Sequence, residues 1–242
     1  MLSPNCDVTS WPAGALALGE GTQLLLAGVV GSHAYGLAHA ASDVDYLGVH
    51  LAPAADLFGL RSTEATKRTY TSHYPDAACH ELGKFVRLAL TANPTVCELL
   101  WLDSHLVVSA AGAHLLDLRE AFWSAHAVRS SYLGYAAGQL RFLNRPHVSA
   151  AAREKAGRHA LRLVRCARQV LATGTLNLDT SGYADELVAA GRLAAADPDR
   201  FADALDTEMA AVDNARTRLP EQPNTAAVEE FLISTRRDAY GC

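Results

Sequence analysis

Residues 31–49, GSHAYGLAHAASDVDYLGV, constrain this chain more than any other stretch. An apolar run, Leu24-Leu25-Leu26-Ala27-Gly28-Val29-Val30, leads directly into Gly31-Ser32. Asp43-Val44-Asp45 then stands at the head of a second apolar run, Tyr46-Leu47-Gly48-Val49. Short apolar runs of this length read as buried strands, and Pro53 ends the second one. A strand, a small-residue turn and loop, and a second strand therefore bring a Gly-Ser pair close to two carboxylates.

The chemistry of that arrangement follows from its geometry. Residues i and i+2 of a strand point to one face, so Asp43 and Asp45 are expected to project together, with Val44 turned into the core. Two carboxylates side by side repel, and a divalent cation with hard oxygen ligands removes the penalty. Mg²⁺ takes only one or two carboxylates and completes its shell with water and substrate phosphates. Gly31 allows close backbone approach, and the hydroxyl of Ser32 can hydrogen-bond a phosphate oxygen. The segment from Ser32 to about Leu37 is expected to begin a helix or a tight turn whose N–H groups face an anion. D-x-D alone is common in loop caps and solvated pairs. The full order of strand, Gly-Ser, a ten-residue spacer, D-x-D and strand is far more restrictive. A phosphate cradle beside metal-binding carboxylates is the equipment of phosphoryl or nucleotidyl transfer.

A chain of 242 residues can bury a substantial core, as one large domain or two small ones. Its formal charge of -5 argues against coating nucleic acid by bulk charge and leaves room for a local basic groove. The five cysteines are scattered without C-x-x-C spacing, which supports neither a zinc site nor a disulfide framework. No leader-like segment opens the chain and no apolar run approaches the roughly 20 residues of a membrane span. The expectation is a cytoplasmic protein with no membrane contact.

Along the chain, a short helix is expected around Ala13–Leu18. Residues 56–76 are polar and irregular and read as a flap or a strand pair. A third short strand is expected at Asp76–His80, then a helix over Glu81–Thr91 that Asn93-Pro94 ends, then another short element over Thr95–Trp101. From about Ala110 strand signals stop, and helices are expected at 111–118, 132–143, 150–173, 183–190 and 200–218. Gly174 sits where a helix-ending glycine belongs. A composition shift near residue 108 divides the chain into 1–108 and 109–242. The fold class is α+β, with an N-terminal mixed β-sheet and flanking helices followed by an all-helical C-terminal domain.

The helix over 150–173 carries a second pattern. At about 100° per residue, Arg158, Arg162 and Arg165 fall in one narrow sector, flanked by Lys155 and extended by Gln169. Leu163, Ala167, Val170 and Leu171 lie across from it, and His159 lies on the border. Guanidinium groups grip phosphate with paired hydrogen bonds. The same stripe reads equally as a solvated helix face.

The pattern Gly31-Ser32, ten residues, Asp43-x-Asp45 resembles the active-site signature of the DNA polymerase β nucleotidyltransferase superfamily. HELGKFVRLALTANPTVCELLW and KAGRHALRLVRCARQVLATGTL extend the likeness to the predicted bacterial and phage branch associated with RNA repair, over residues 24 to 176. The resemblance implies a third carboxylate on a neighbouring strand. Asp76 is the choice, with His80 and Glu81 as competitors. It implies that Asp43 and Asp45 hold nucleotide-bound Mg²⁺, with Mn²⁺ as the substitute, and that Asp76 joins them at a second metal. A nucleoside triphosphate would then donate a nucleoside monophosphate to a hydroxyl acceptor and release pyrophosphate. Lys84, in Leu82-Gly83-Lys84-Phe85, matches the branch's L-x-K-F segment and is a candidate triphosphate contact. The arginines of the stripe are candidates of the same kind. Asn93, Pro94 and Glu98 fit an N-P-x-x-x-E run in which Glu98 is an anchor or an interface contact. Tyr35 and Tyr46 either stack on a base or pack. An RNA 3′ end is the first choice of acceptor, and a protein hydroxyl on Tyr, Ser or Thr is the second. The rivals from other classes are an inactive nucleotide-sensing module and a structural partner in a complex. No aromatic stacking run or strongly basic tail marks an RNA-binding module, so acceptor recognition is left to the helical half.

Overall fold

The structure is a computed structural model that describes residues 11–12, 16–39, 42–60 and 62–241. Of the short helix expected at 13–18, residues 13–15 lie outside that range and residues 16–18 are not helical. The described chain forms two compact units. One holds the residues up to Leu90, with Thr95–Phe122 and Asn224 onward. The other holds Thr91–Pro94 and Trp123–Pro223.

The first unit is built on a mixed sheet of five strands: β1 (Gln23–Val30), β2 (Asp45–Leu51), β3 (Thr69–His73), β4 (Asp76–Glu81) and β5 (Val107–Val108), in the order β3-β4-β2-β1-β5. β2 and β4 run parallel, and every other pair is antiparallel. A parallel neighbour requires a crossover. Here the chain passes through the short helices α1 (Ala54–Phe58) and α2 (Ser62–Ala65) to the edge strand β3, then turns back into β4. β2 lies inside the sheet, and all its residues after Asp45 are buried. That is why Tyr46–Val49 reads as a continuous apolar run rather than an alternation. β3 is the exposed edge and supplies the strand pair that the polar 56–76 region left open.

One face of the sheet is covered by Leu16, Tyr46, Ala77 and Cys79, with Trp11, Val29 and Tyr70 packed on them. Gly48 permits this, since a Cβ there would stand 2.8 Å from a ring carbon of Trp11. The other face carries α3 (Leu82–Leu90), α4 (Pro94–Leu100) and α5 (Ala110–Asp117). α3 buries Leu82, Phe85, Val86 and Ala89, the i, i+3, i+4, i+7 set of an amphipathic helix. Gly28 makes room for Leu99 and Leu102, and Gly112 lets α5 press against the Leu25 carbonyl of β1.

The second unit is helical: α6 (Ala125–Val128), a π-helical turn at Arg129–Leu133, α7 (Gly134–Leu143), α8 (Ala150–Thr173), α9 (Ala184–Ala196) and α10 (Pro198–Asp213). α8 starts where the Ser149 hydroxyl accepts from the Ala152 N–H at 3.2 Å, and it ends at left-handed Gly174, φ 80°. α8 and α9 approach closely because each has a glycine at the crossing. A Cβ on Gly157 would stand 2.5 Å from the Ala194 Cβ, and one on Gly191 would stand 2.8 Å from the Glu154 carbonyl oxygen.

The chain then returns to the first unit as α11 (Thr225–Tyr240), capped by Asn224. The sequence reading did not include this helix. Arg236 reaches Glu81, the Tyr240 hydroxyl donates to the Ala52 carbonyl, and Phe231 meets the His114 ring edge-on at 5.0 Å. Cys79, Cys97 and Cys166 are buried and in thiol form. Among the described residues no helix is long and apolar enough to cross a membrane.

Candidate active site

The candidate site forms at the end of the sheet where β1 stops and β2 and β4 begin. Val30, the last residue of β1, pairs with Asp45, the first of β2, and Asp45 pairs in parallel register with Asp76, the first of β4. Tyr46 and Ala77, the next residues along, pack in one cluster on the first face. By alternation Asp45 and Asp76 share the opposite face. Asp45 is half-buried and Asp76 is exposed.

Gly31 follows Val30 with φ +70°, a left-handed conformation that glycine adopts without strain. A Cβ there would collide with Oδ2 of Asp45 and lie 3.1 Å from its Cγ. The bend therefore lies directly against the Asp45 carboxylate. The carbonyls of Gly31 and Ser32 accept from the N–H groups of Tyr35 at 3.2 Å and Leu37 at 3.0 Å. Residues 31–37 thus curl into a tight turn, the second of the two forms expected. Tyr35 fastens the turn by donating its hydroxyl to Oε2 of buried Glu98 on α4 at 2.5 Å. Glu98 is an anchor within this unit, and Tyr35 is the side chain it anchors.

Asp43 lies in the non-strand segment 42–44 and is exposed. Strand alternation starts only at Asp45, so sheet pairing does not by itself aim Asp43 alongside it. His33, directly after Ser32, was not singled out from the sequence. Its Nε2 is buried without a hydrogen-bond partner among the described residues. Adjacency to the Gly-Ser pair was the signal that could have found it. Among the described residues no three His, Cys, Asp or Glu side chains form a metal-holding group. The two register-paired carboxylates suit an ion that takes one or two of them and fills its shell with water and phosphate. That is the habit of Mg²⁺, and an all-protein cage would need more ligands.

The competitors for the third position are engaged elsewhere. Glu81 is fully buried at the far end of β4. Its Oε2 accepts from the N–H groups of Gly83 at 2.6 Å and Lys84 at 3.3 Å, and its Oε1 accepts from Arg236 at 3.0 Å. Lys84 donates its Nζ to the Thr69 hydroxyl at 2.5 Å, and that hydroxyl lies 2.8 Å from Nδ1 of His80. Burial first, and then the Lys84 charge, push the His80 pKa down to about 4, which leaves the ring neutral. His80 follows Asp76 by four strand residues, roughly 13 Å at 3.3 Å each. Lys84 and His80 therefore sit well along the strand from the Asp45–Asp76 pair.

The arginine stripe belongs to the second unit and faces α9. Arg162 is buried and lies 3.2 Å from Nδ1 of His159. Arg165 pairs with Glu186 at 2.6 Å, and Arg158 pairs with Glu154 at 3.5 Å while lying across Gly191. Burial, then Arg162, then Lys155 hold His159 near pKa 4, so it too is neutral.

No curated protein and no solved structure is significantly similar to this chain. A family model does match, over residues 15–232, and the span includes the Gly31 bend, all three aspartates and the arginine stripe. Membership points to a nucleotidyltransferase of an RNA repair pathway. The chain belongs to the RNA repair pathway DNA polymerase beta family, RlaP.

Proposed function

We propose that the protein transfers a nucleoside monophosphate from a nucleoside triphosphate to the 3′ hydroxyl of an RNA, in the cytoplasm, with Mg²⁺ and release of pyrophosphate. The observation that carries this reading is the Asp45 carboxylate, pressed by the left-handed Gly31 bend on one side and flanked in register by Asp76 on the other. Asp45 and Asp76, with Asp43 upstream, would hold Mg²⁺ or Mn²⁺. A bound ion would neutralise phosphate charge and favour ionisation of the attacking hydroxyl. The turn at Gly31-Ser32 receives the triphosphate, because glycine leaves the backbone open to close approach. The acceptor oxygen bonds to the α-phosphorus, and the bond from that phosphorus to the bridging oxygen breaks. Pyrophosphate leaves with the electron pair, and the acceptor's proton passes to Asp76, which is open to solvent. Lys84 and the arginines of α8 already hold partners within the protein, and this reading does not require them.

The test is transfer of label from each α-labelled nucleoside triphosphate to a single-stranded RNA. Asp45→Asn and Asp76→Asn should each lower the rate by at least about 100-fold, the scale of losing a transition-state electrostatic group, with an unchanged circular dichroism spectrum. Wild-type rates in both variants would end the proposal. Label that appears on a polypeptide instead of RNA would move the acceptor from RNA to protein.

A further inference from the structure

We propose that the groove between α7 and α8 binds a segment of single-stranded RNA, with a base against Tyr135 and phosphate at Lys155 and Arg145. The RNA assignment rests on the reading above, but the groove is a separate site within the helical unit. It is an open groove of about 670 Å³, within the roughly 300–1,000 Å³ of sites that hold small ligands. A nucleotide or two fits such a volume.

The lining matches that occupant. Tyr135, Gln139, Phe142, Arg145, Lys155 and His159 face the groove, and no carboxylate lines it, although the whole chain carries a charge of -5. Tyr135 is 41% exposed, and its hydroxyl accepts from the Asn93 amide at 2.7 Å. A rigid, half-exposed aromatic ring is a stacking platform for any base. The Arg145 guanidinium lies 5.7 Å from the Phe142 ring centroid and adds a second flat cationic surface. Arg162 donates to Nδ1 of His159, so the hydrogen of the neutral ring is on Nε2. His159 and the Gln139 amide thus supply hydrogen-bonding groups for a base edge.

A second observation is independent of the lining's charge. α7 contributes Gly134 and Gly138 to the groove, one helical turn apart. Gly134 has ordinary helical angles, φ -62° and ψ -39°, so the backbone does not require glycine. A Cβ at 134 would meet nothing within 4 Å, and one at 138 would meet only the end of Arg141 at 3.7 Å. Packing inside the protein does not require glycine either, and alanine is the more stable residue inside a helix. What these glycines do preserve is clearance on the side where a ligand would lie. α7 also emerges from the π-helical turn at Arg129–Leu133, a wide turn that is frequent at functional sites.

The experiment is fluorescence anisotropy of the full chain with a fluorescein-labelled single-stranded RNA. Tyr135→Ala should weaken binding by about 5- to 100-fold, and Lys155→Glu should weaken it as well. Lys155→Gln should flatten the log–log salt dependence by about 0.7. Lys155 is exposed, so its variants keep the fold. Gly138→Ala should raise the melting temperature while it weakens RNA binding, a pair of opposite signs that a structural glycine would not give. RNA affinity indifferent to all the groove variants overturns the groove, whether or not transfer occurs. Full displacement of the RNA by a free nucleoside triphosphate also overturns it, because the occupant would then be the small nucleotide. Groove-dependent RNA binding without any transfer supports the groove and sinks only the catalytic reading.

Discussion

Replacing Gly31 with alanine tests whether the bend and the carboxylate form one unit. Two terms contribute. A left-handed conformation costs a residue with a Cβ about 1–2 kcal/mol, and Gly31 has φ +70°. The new methyl would also collide with Oδ2 of Asp45, and forcing that side chain from its rotamer costs about 0.5–1.5 kcal/mol more. Gly31→Ala should therefore destabilise the protein by about 2–3 kcal/mol, read from urea unfolding followed by circular dichroism. The second term needs the carboxylate and the first does not. In Gly31→Ala/Asp45→Ala the collision is gone, so the combined loss should fall short of the sum of the single losses by about 1 kcal/mol. The displaced carboxylate also loses its place beside Asp76, so transfer should fall further in Gly31→Ala than the stability loss explains. Losses that add to within about 0.3 kcal/mol, the scatter of independent sites, would show that the bend does not bear on Asp45.

Two further outcomes concern the rest of the sheet unit. Arg236→Ala strips fully buried Glu81 of its guanidinium and leaves it two backbone donors. It should cost about 2–4 kcal/mol, a melting temperature lower by about 5–10 °C. A shift under about 2 °C would refute the pairing as an anchor for α11. His50 and His80 are both held near pKa 4, His50 by burial first and then by Arg68 and His80, against 6.5 for a free histidine. Between about pH 6.5 and 4 the unfolded chain takes up protons that the folded one does not. Stability should fall as pH drops through that window, by up to about 3 kcal/mol per histidine. His50→Gln should flatten the curve, and a slope unchanged by that substitution would argue against a buried neutral His50.

Local patterns made much of the sheet unit legible. β1, β2 and β4 stand out because buried strands carry apolar runs between Gly, Pro and Asp. α3 shows its 3.6-residue period, and α8 is bracketed by Ser149 and Gly174 with its full length readable between them. β5 was not legible, since two residues are too few for a period. α11 was missed for another reason. Its sequence, TAAVEEFLISTRRDAY, carries a weak apolar stripe, and its place is held by Arg236, Tyr240 and Phe231 reaching distant partners. The arginine stripe of α8 was visible as a stripe, but Glu186 on α9 and the glycine crossing that surround it were not.

By itself the sequence showed a glycine-serine pair and two aspartates within fifteen residues, between two apolar runs that read as strands. The antiparallel pairing of Val30 with Asp45 is what then sets the bend against the Asp45 carboxylate. Only the tertiary structure decided that Asp76 stands beside Asp45, that Glu81 pairs with an arginine 155 residues away, and that Lys84 is tied to Thr69. Those choices depend on strand register and on which side chains meet through space, and a one-residue slip in register would send each side chain to the opposite face.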